Sequence, residues 1–406
     1  MREVFIIGGG PSGMMAAITA AQKGNRVTIF EKNNKLGKKL FITGKGRCNV
    51  TNASDIEEII ENIPGNGNFL YSALYTFTNN NLMDLIEGEG VPLKIERGNR
   101  VFPKSDKSSD IIKAFEGLLK KLKVKLILNT NVDDIIIDSN TIKGITIGNK
   151  NMYCDSLIIA TGGKSYPLTG STGDGYAFAK KAGHTIEDIK PSLVPIITKE
   201  DYVKELQGLS LKNVSISVKS GKKMIYSDLG EMIFTHFGIS GPLVLSMSRY
   251  ITNMLPGKVL VHINLKPGLT EEQLDKRIHR DFEKYSNKMF KNSLDDLLPQ
   301  KIIPIIIRLS GIDEKKEVNQ ISKSERESIV NLLRDFKVTA IDTRPIDEAI
   351  ITSGGVCVKE INPSTMESKL VNGLFYAGEV IDVDALTGGF NLQIAFSTGY
   401  LAGSNC

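Results

Sequence analysis

Residues 1–32 narrow the possible folds of this chain more than any other stretch. Val4, Phe5, Ile6 and Ile7 form an unbroken apolar run that suits a strand buried on both faces of a parallel sheet. Gly-Gly-Gly-Pro-Ser-Gly follows at once at positions 8–13. An apolar helix starts at Pro11 and runs to about Lys23, and Val27, Thr28, Ile29 and Phe30 make a second strand ending on Glu31. A strand, a glycine turn, a helix and a second strand tipped by an acid are the parts of a dinucleotide-binding unit. Gly8 permits the tight turn, Gly10 lets backbone approach a pyrophosphate, and Gly13 lets the helix lie close on the strand. Pro11 and Ser12 open the helix toward the phosphates. Glu31 stands where a carboxylate accepts hydrogen bonds from an adenosine ribose. Lys32 has two open readings, a phosphate contact or a solvated charge. The stretch alone leaves FAD and NAD(P) both open.

With 406 residues the chain can hold two or three domains and a large core. Its 41% hydrophobic and 24% charged residues are ordinary for a globular protein. A net charge of +5 suits an anionic ligand but argues against a nucleic-acid partner, whose basic residues would cluster. No apolar run reaches the roughly eighteen residues of a membrane span, and the N-terminus enters the first strand without a signal peptide, so a cytoplasmic protein with no membrane partner is expected. Cys48, Cys154, Cys357 and Cys406 are widely spaced with no CxxC, which disfavours zinc and a redox disulfide; the four histidines are equally dispersed, and no metal site is expected.

Residues 37–52 are basic and glycine-rich. They read either as a surface loop or as a loop folded over a bound dinucleotide, with Lys38, Lys39 or Arg47 near phosphates and Asn49 offering its amide to a polar ligand edge. Cys48, within that loop, reads as an inert thiol. Helices are expected over 55–61, 71–87 and 109–122, a strand over 124–128, and a small antiparallel meander over 132–154. A buried strand then ends on Ala160, Thr161, Gly162 and Gly163, where glycines permit close approach to a ligand. From 191 the pattern changes to barrel-like strands over 212–219, 224–226 and 259–265, with a tight turn at 233–242 and helices from 242, 270, 293, 301 and 322. The expected organisation is a first domain part over 1–190, an inserted domain over 191–345 (β-barrel 191–268, helical part 269–337), and a returning part over 346–406. In that last part, a strand at 374–377 delivers Gly378, Glu379 and Asp382 toward the crevice of Gly10. Gly388 and Gly389 then open a helix through Phe390, Asn391 and Leu392, whose free N–H groups suit the polar edge of a flavin.

These motifs resemble the bacterial BaiN-like or YhiN-like NAD(P)/FAD-dependent oxidoreductases, also grouped as the aminoacetone oxidase family. The resemblance rests on residues 8–13, 44–52 (GKGRCNVTN), 235–242 (THFGISGP), 352–356, 378–382 and 388–393. It implies an α/β fold: a Rossmann-like FAD-binding domain of the glutathione-reductase kind, built from both chain ends, with an inserted β-barrel and a small helical subdomain. It further implies bound FAD contacted by Ser12, Glu31, Lys32, Asn49, Val132, Thr161, Gly162, Asp382, Gly389 and Asn391.

The chemistry expected is hydride transfer from NAD(P)H through FAD to the electron-poor carbon of a conjugated C=C in a small molecule, with a protein acid protonating the other end. No second glycine fingerprint is present, so NAD(P)H would bind without its own dinucleotide fold. His236 is the first acid candidate, against the alternative that it caps its turn; Tyr166, Arg344 and Thr352 follow, Arg344 as a carboxylate or phosphate ligand. Competing readings are an amine oxidase acting on an aminoacetone-like substrate, an RNA-modifying flavoprotein using Lys212, Lys219, Lys222 and Lys223, and a flavin scaffold without turnover.

Overall fold

The computed structural model describes residues 1–406, which divide into two compact units: Met1–Ser192 with Ile346–Cys406, and Leu193–Pro345. In the first unit, β1 (Glu3–Ile7) lies at the centre of a five-stranded sheet. Parallel neighbours flank it, Ser156–Ile159 on one side and β2 (Arg26–Phe30) on the other, and Leu374–Tyr376 and Lys125–Ile127 complete the sheet. Val4, Ile6 and Ile158 are fully buried, as two-faced coverage demands. Helix α1 (Pro11–Gln22) follows β1, and the C-terminal helix Phe390–Asn405 runs against it. Their close approach is a consequence of small residues: a Cβ on Gly399 would fall 2.3 Å from the Ser12 carbonyl oxygen, and one on Gly403 2.3 Å from that of Ala16.

The meander forms as Asp134–Asp138, Thr141–Ile147 and Lys150–Tyr153, an antiparallel sheet. The single helix expected over 71–87 is instead two, Tyr71–Thr76 and Asn79–Gly88. Thr78 breaks the run because its side chain accepts from Asn81 N in a capping box, which starts a new helix.

The second unit is a closed six-stranded barrel in the order Ile196–Thr198, Gly238–Ser240, Lys223–Phe234, Ser210–Ser220, Val259–Asn264 and Phe336–Thr343. Its last strand comes after the helices Glu271–Lys284, Ile303–Ser310 and Lys323–Arg334, so the helical part is an excursion between the fifth and sixth barrel strands. Val214, Ile216 and Val218 alternate inward and are buried, with Val261, Ile263, Val338 and Ala340 facing the same core. The helix expected from Ser293 does not form; a short 3₁₀ turn over Phe290–Asn292 is followed by bends, with the Ser293 hydroxyl donating to the Phe290 carbonyl instead. No helix is long and apolar enough to cross a membrane.

Candidate functional site

The parallel sheet of the first unit ends three neighbouring strands side by side, at Ile7, Ile159 and Tyr376. Gly8, residues 160–163 and residues 377–379 therefore leave the sheet at one edge, the carboxyl ends where open α/β sheets bind ligands. Gly8 has φ +109°, and a Cβ there would lie 2.4 Å from the Ala160 carbonyl oxygen. A Cβ on Gly13 would lie 1.9 Å from the Gly8 carbonyl oxygen, so the helix can sit this close only as glycine. Around Gly10 nothing lies within 4 Å of the Cβ position: this turn residue faces open space. Helix α1 carries no side-chain cap and no acid in its first turn, leaving N–H groups to face that space. A turn closed by two glycines and open at the third, at an uncapped helix start, is a fitting cradle for a pyrophosphate.

Glu31 is buried at the tip of β2. Its Oε2 accepts from Gly9 N at 2.7 Å, and its Oε1 from Asn33 N at 2.8 Å and Asn33 Nδ2 at 2.7 Å. The carboxylate is thereby tied to the glycine turn, with lone-pair capacity left for a ribose hydroxyl. Lys32 resolves differently from Glu31: its ammonium pairs with Asp174 and donates to Thr172 Oγ1 at 2.6 Å. Val132 is buried, beyond a segment in which Thr130 N donates to the Glu31 carbonyl.

The basic segment over 37–52 is no simple surface loop. It forms the short helix Lys38–Ile42 and then a left-handed run at Gly44, Lys45, Gly46 and Cys48. Arg47 pairs with Glu96 and with Asp106 at 2.7 Å and stacks on Phe102 at 4.2 Å, and these carboxylates raise its pKa further. Its guanidinium is thus a clasp between this segment and the hairpin of Leu93–Glu96 and Arg100–Pro103. Cys48 is fully buried, and burial pushes its thiol up to about 12, which agrees with an inert thiol. Asn49 Oδ1 and Thr161 Oγ1 are buried with no hydrogen-bond partner. Such orphans cost roughly 1–3 kcal/mol each and point to a bound group that supplies the missing partner.

Lys39 organises a second constellation. Its Nζ donates to Glu379 Oε2 at 2.8 Å and to Ser165 Oγ at 2.8 Å. Glu379 Oε1 also accepts from Thr352 N at 2.9 Å, while Thr352 Oγ1 accepts from Lys164 N at 2.8 Å and Ser165 N at 3.1 Å. Thr352 is 1% exposed, so its hydroxyl acts as a peg for residues 164–165 rather than as a free acid. Gly163 must be glycine here: its Cβ would fall 2.4 Å from Thr352 Oγ1 and 2.7 Å from Glu379 Oε1. Ser165 and Asn66, whose Nδ2 donates to Asp382 Oδ2 at 2.8 Å, are members that no local motif signals; only the topology brings them in.

Gly378 is held by Thr398 Oγ1 at 2.9 Å. Gly389 has φ +102° and approaches Thr51, whose carbonyl oxygen lies 2.3 Å from the Cβ position. It starts the C-terminal helix, with Phe390 and Leu392 in the first turn and no side-chain cap. The side chain of Asn391 is engaged within the protein: Nδ2 donates to the Ala385 carbonyl and Oδ1 accepts from Ala385 N, both at 2.8 Å, fixing the approach to Gly388.

His236 and Arg344 belong to the second unit, Thr352 to the first. Thr235, not His236, closes the turn, its Oγ1 donating to the Gly238 carbonyl at 3.0 Å and accepting from Gly238 N at 3.1 Å. The exposed His236 imidazole lies edge-on to Phe237, and Arg344 stacks over the same Phe237 ring at 4.8 Å. Tyr166 is half-buried, and burial raises its phenol pKa.

The profile of the HI0933-like protein Rossmann domain matches residues 2–405. The chain belongs to that family. It is an FAD-dependent oxidoreductase, and the open Gly10 cradle, the tethered Glu31 and the two orphan oxygens fit that cofactor. A 3-dehydro-bile acid delta(4,6)-reductase of Clostridium scindens is 32% identical over 410 residues, covering 99% of this chain and 98% of the relative. A ribosomal RNA dihydrouridine synthase of Haemophilus influenzae is also 32% identical, over 403 residues covering 98% and 96%, and one of Escherichia coli is 30% identical over 402. Among solved structures, a 3-ketosteroid delta1-dehydrogenase of Sterolibacterium denitrificans matches with a TM-score of 0.54 at 13% identity, covering 99% of this chain and 98% of that one. An E. coli quinol fumarate reductase chain matches with a TM-score of 0.52 at 17% identity, covering 99% of this chain and 69% of that one. At these identities the two structures bear on the fold alone.

Proposed function

We propose that this enzyme reduces a carbon–carbon double bond conjugated to a carbonyl group, using electrons from a reduced nicotinamide nucleotide. One observation carries the reading: two full-length relatives of equal identity bear names for different substrates but for the same kind of bond. A 3-oxo bile acid with a neighbouring ring double bond is an enone, and a uracil ring is reduced to dihydrouracil at the double bond conjugated to its carbonyl. Bound FAD would supply the two-electron chemistry that links oxidation of the nicotinamide to addition of hydride at the carbon β to the carbonyl.

The chain's own residues have three tasks. Gly8, Gly10, Gly13 and the start of α1 hold the pyrophosphate, and Glu31 the ribose. Residues 162–163, 378–379 and the uncapped helix start at 389–392 would face the rest of the cofactor, with the Lys39–Glu379 pair fixing the position of the 163–165 turn. His236 delivers the proton to the carbon α to the carbonyl; its exposed imidazole makes no hydrogen bond, because Thr235 closes the turn. Arg344, anchored on Phe237, positions an anionic part of the substrate.

A second reading places the target double bond in RNA, and the two dihydrouridine synthases among the relatives favour it. Both are tested by incubating the holoenzyme with NADH or NADPH and either cyclohexenone or a uridine-rich RNA, with mass spectrometry of the products. A product carrying two more hydrogens from either substrate supports the reading. Peroxide release with an amine, and no saturated product from either, would replace it with an oxidase.

A further inference from the structure

The two units divide the charge of the chain unevenly. The second unit carries 24 Lys and Arg against 19 Asp and Glu, whereas the first carries 27 of each, so the whole excess of +5 lies in Leu193–Pro345. Within that unit most cations of the helical part are neutralised locally: Arg277 by Asp281, Lys284 by Asp296, Lys316 by Glu325, Arg326 by Asp275 and Arg334 by Glu271. Four are not. Lys212, Lys219, Lys222 and Lys223 are exposed, and none makes an ion pair or a side-chain hydrogen bond. All four sit on the hairpin of Ser210–Ser220 and Lys223–Phe234.

The hairpin is shaped to gather them. Lys212 and Lys219 have opposite parity in the strand and would point to opposite faces of a regular ladder. The register shift between Leu211 and Val214 turns Lys212 outward while Leu211, Val214, Ile216 and Val218 stay buried. The outward row between the two lysines is Asn213, Ser215 and Ser217, with no carboxylate. Ser215 pairs across to Asn264 and Ser217 to His262, so the polar row continues onto the next strand. That strand borders an open cavity of about 700 Å³ lined by Asn264, Asn331 and Tyr202 with two cations, Arg334 and Lys337, and two carboxylates, Glu271 and Asp335.

We propose that this face of the barrel docks RNA, with the phosphates on Lys212, Lys219, Lys222 and Lys223 and sugar hydroxyls on the serine and asparagine row. A chain of unpaired cations separated by small hydrogen-bonding side chains suits a polyanion with a hydroxyl on each sugar, whereas a lipid surface would call for an apolar face beside the charge. The inference rests on the reading in which the reduced bond lies in RNA. Binding is measured without turnover, however, so failure of the reaction and failure of the docking surface are separate results.

The test uses the FAD-loaded full-length protein, a fluorescently labelled uridine-rich RNA and, as comparator, phosphatidylglycerol vesicles, each titrated at several salt concentrations. Lys212→Ala/Lys219→Ala/Lys222→Ala/Lys223→Ala is expected to weaken RNA binding at least tenfold and to lower the slope of log affinity against log salt by about 3, near 0.7 per lost phosphate contact. In the wild-type protein, bound RNA is expected to protect these four lysines from acetylation, a readout that needs no variant. Equal binding by the variant, absence of protection, or binding of the vesicles in place of RNA would overturn the proposal.

Discussion

The two units solve opposite problems with glycine and charge. The first holds thirty of the 38 glycines and balanced charge; the second holds eight glycines and the entire positive excess. In the first, glycine is required where backbone must come within bonding distance of backbone, as at Gly8 and Gly13, or leave space, as at Gly10. Its charged groups beside the crevice are tied inward, Lys39 to Glu379 and Lys32 to Asp174. In the second, regular alternation builds a closed barrel and leaves charges outside. One unit is shaped for a cofactor approached at backbone distance, and the other keeps its excess charge on side chains outside a closed barrel.

Disrupting the glycine cradle should have the largest effect. Gly13→Ala places a methyl 1.9 Å from the Gly8 carbonyl oxygen, so either α1 or β1 must move. Purified protein should be colourless, and equilibrium dialysis should show FAD affinity lowered by a hundredfold or more, while the barrel of the second unit retains its far-UV signature. Tight FAD binding by this variant would break the assignment of the first unit.

Next comes the proton. His236→Asn should lower the rate of C=C reduction by about 10²–10³, within the usual range for loss of a general acid. FAD content and reduction by the nicotinamide should not change, because a proton donor to the substrate acts after both. An equal loss in both half-reactions would mean that His236 acts through the fold.

Lys39→Met tests the inward-tied charge. It leaves Glu379, whose side chain is 17% exposed, without its cation, at a cost of about 2 kcal/mol, and the melting temperature should fall by a few degrees as the 163–165 turn loosens. Lys39→Arg should recover part of the loss. An unchanged melting temperature would make the pair ornamental.

The smallest expected effect concerns acid stability. His184 is 4% exposed, donating or accepting at Nδ1 with Glu360 at 3.2 Å and at Nε2 with Ser368 at 2.8 Å. Because Ser368 Oγ accepts from Leu370 N and Val371 N, its hydroxyl proton is free for Nε2, and the neutral Nδ1–H tautomer completes the chain. Burial lowers the His184 pKa below 6.5, outweighing Glu360, so the unfolded chain takes up the proton first as pH falls. Stability should therefore decline below about pH 6.5. The Ser368–His184–Glu360 chain is buried at its serine and histidine and serves as a clasp. Differential scanning across this range should show the decline in the wild type and a flatter curve in His184→Gln.

The glycine cradle was legible in the sequence because its rule is local: 8–13 and Glu31 constrain one another within a single βαβ unit. Glu379 and Thr352 were legible as neighbours of glycines, but Ser165 and Asn66 were not, since only the parallel order of distant strands joins them to Lys39 and Asp382. Arg47 was misjudged by composition, for a basic residue in a glycine-rich loop looks like a phosphate ligand until Glu96 and Asp106 are brought beside it. The barrel's sixth strand was hidden by the helical excursion that precedes it. The lysines of the hairpin were visible, but that none of them pairs with Asp228 or Glu231 of the same hairpin follows only from the fold.

The most direct test of the central claim is an anaerobic double-mixing experiment on the FAD-loaded protein, first with NADH or NADPH and then with cyclohexenone or the uridine-rich RNA. The account predicts loss of the oxidised flavin absorbance in the first step and its recovery in the second, with one saturated product formed per flavin. Absorbance that is lost but returns only when oxygen is admitted, with neither substrate saturated, would contradict it.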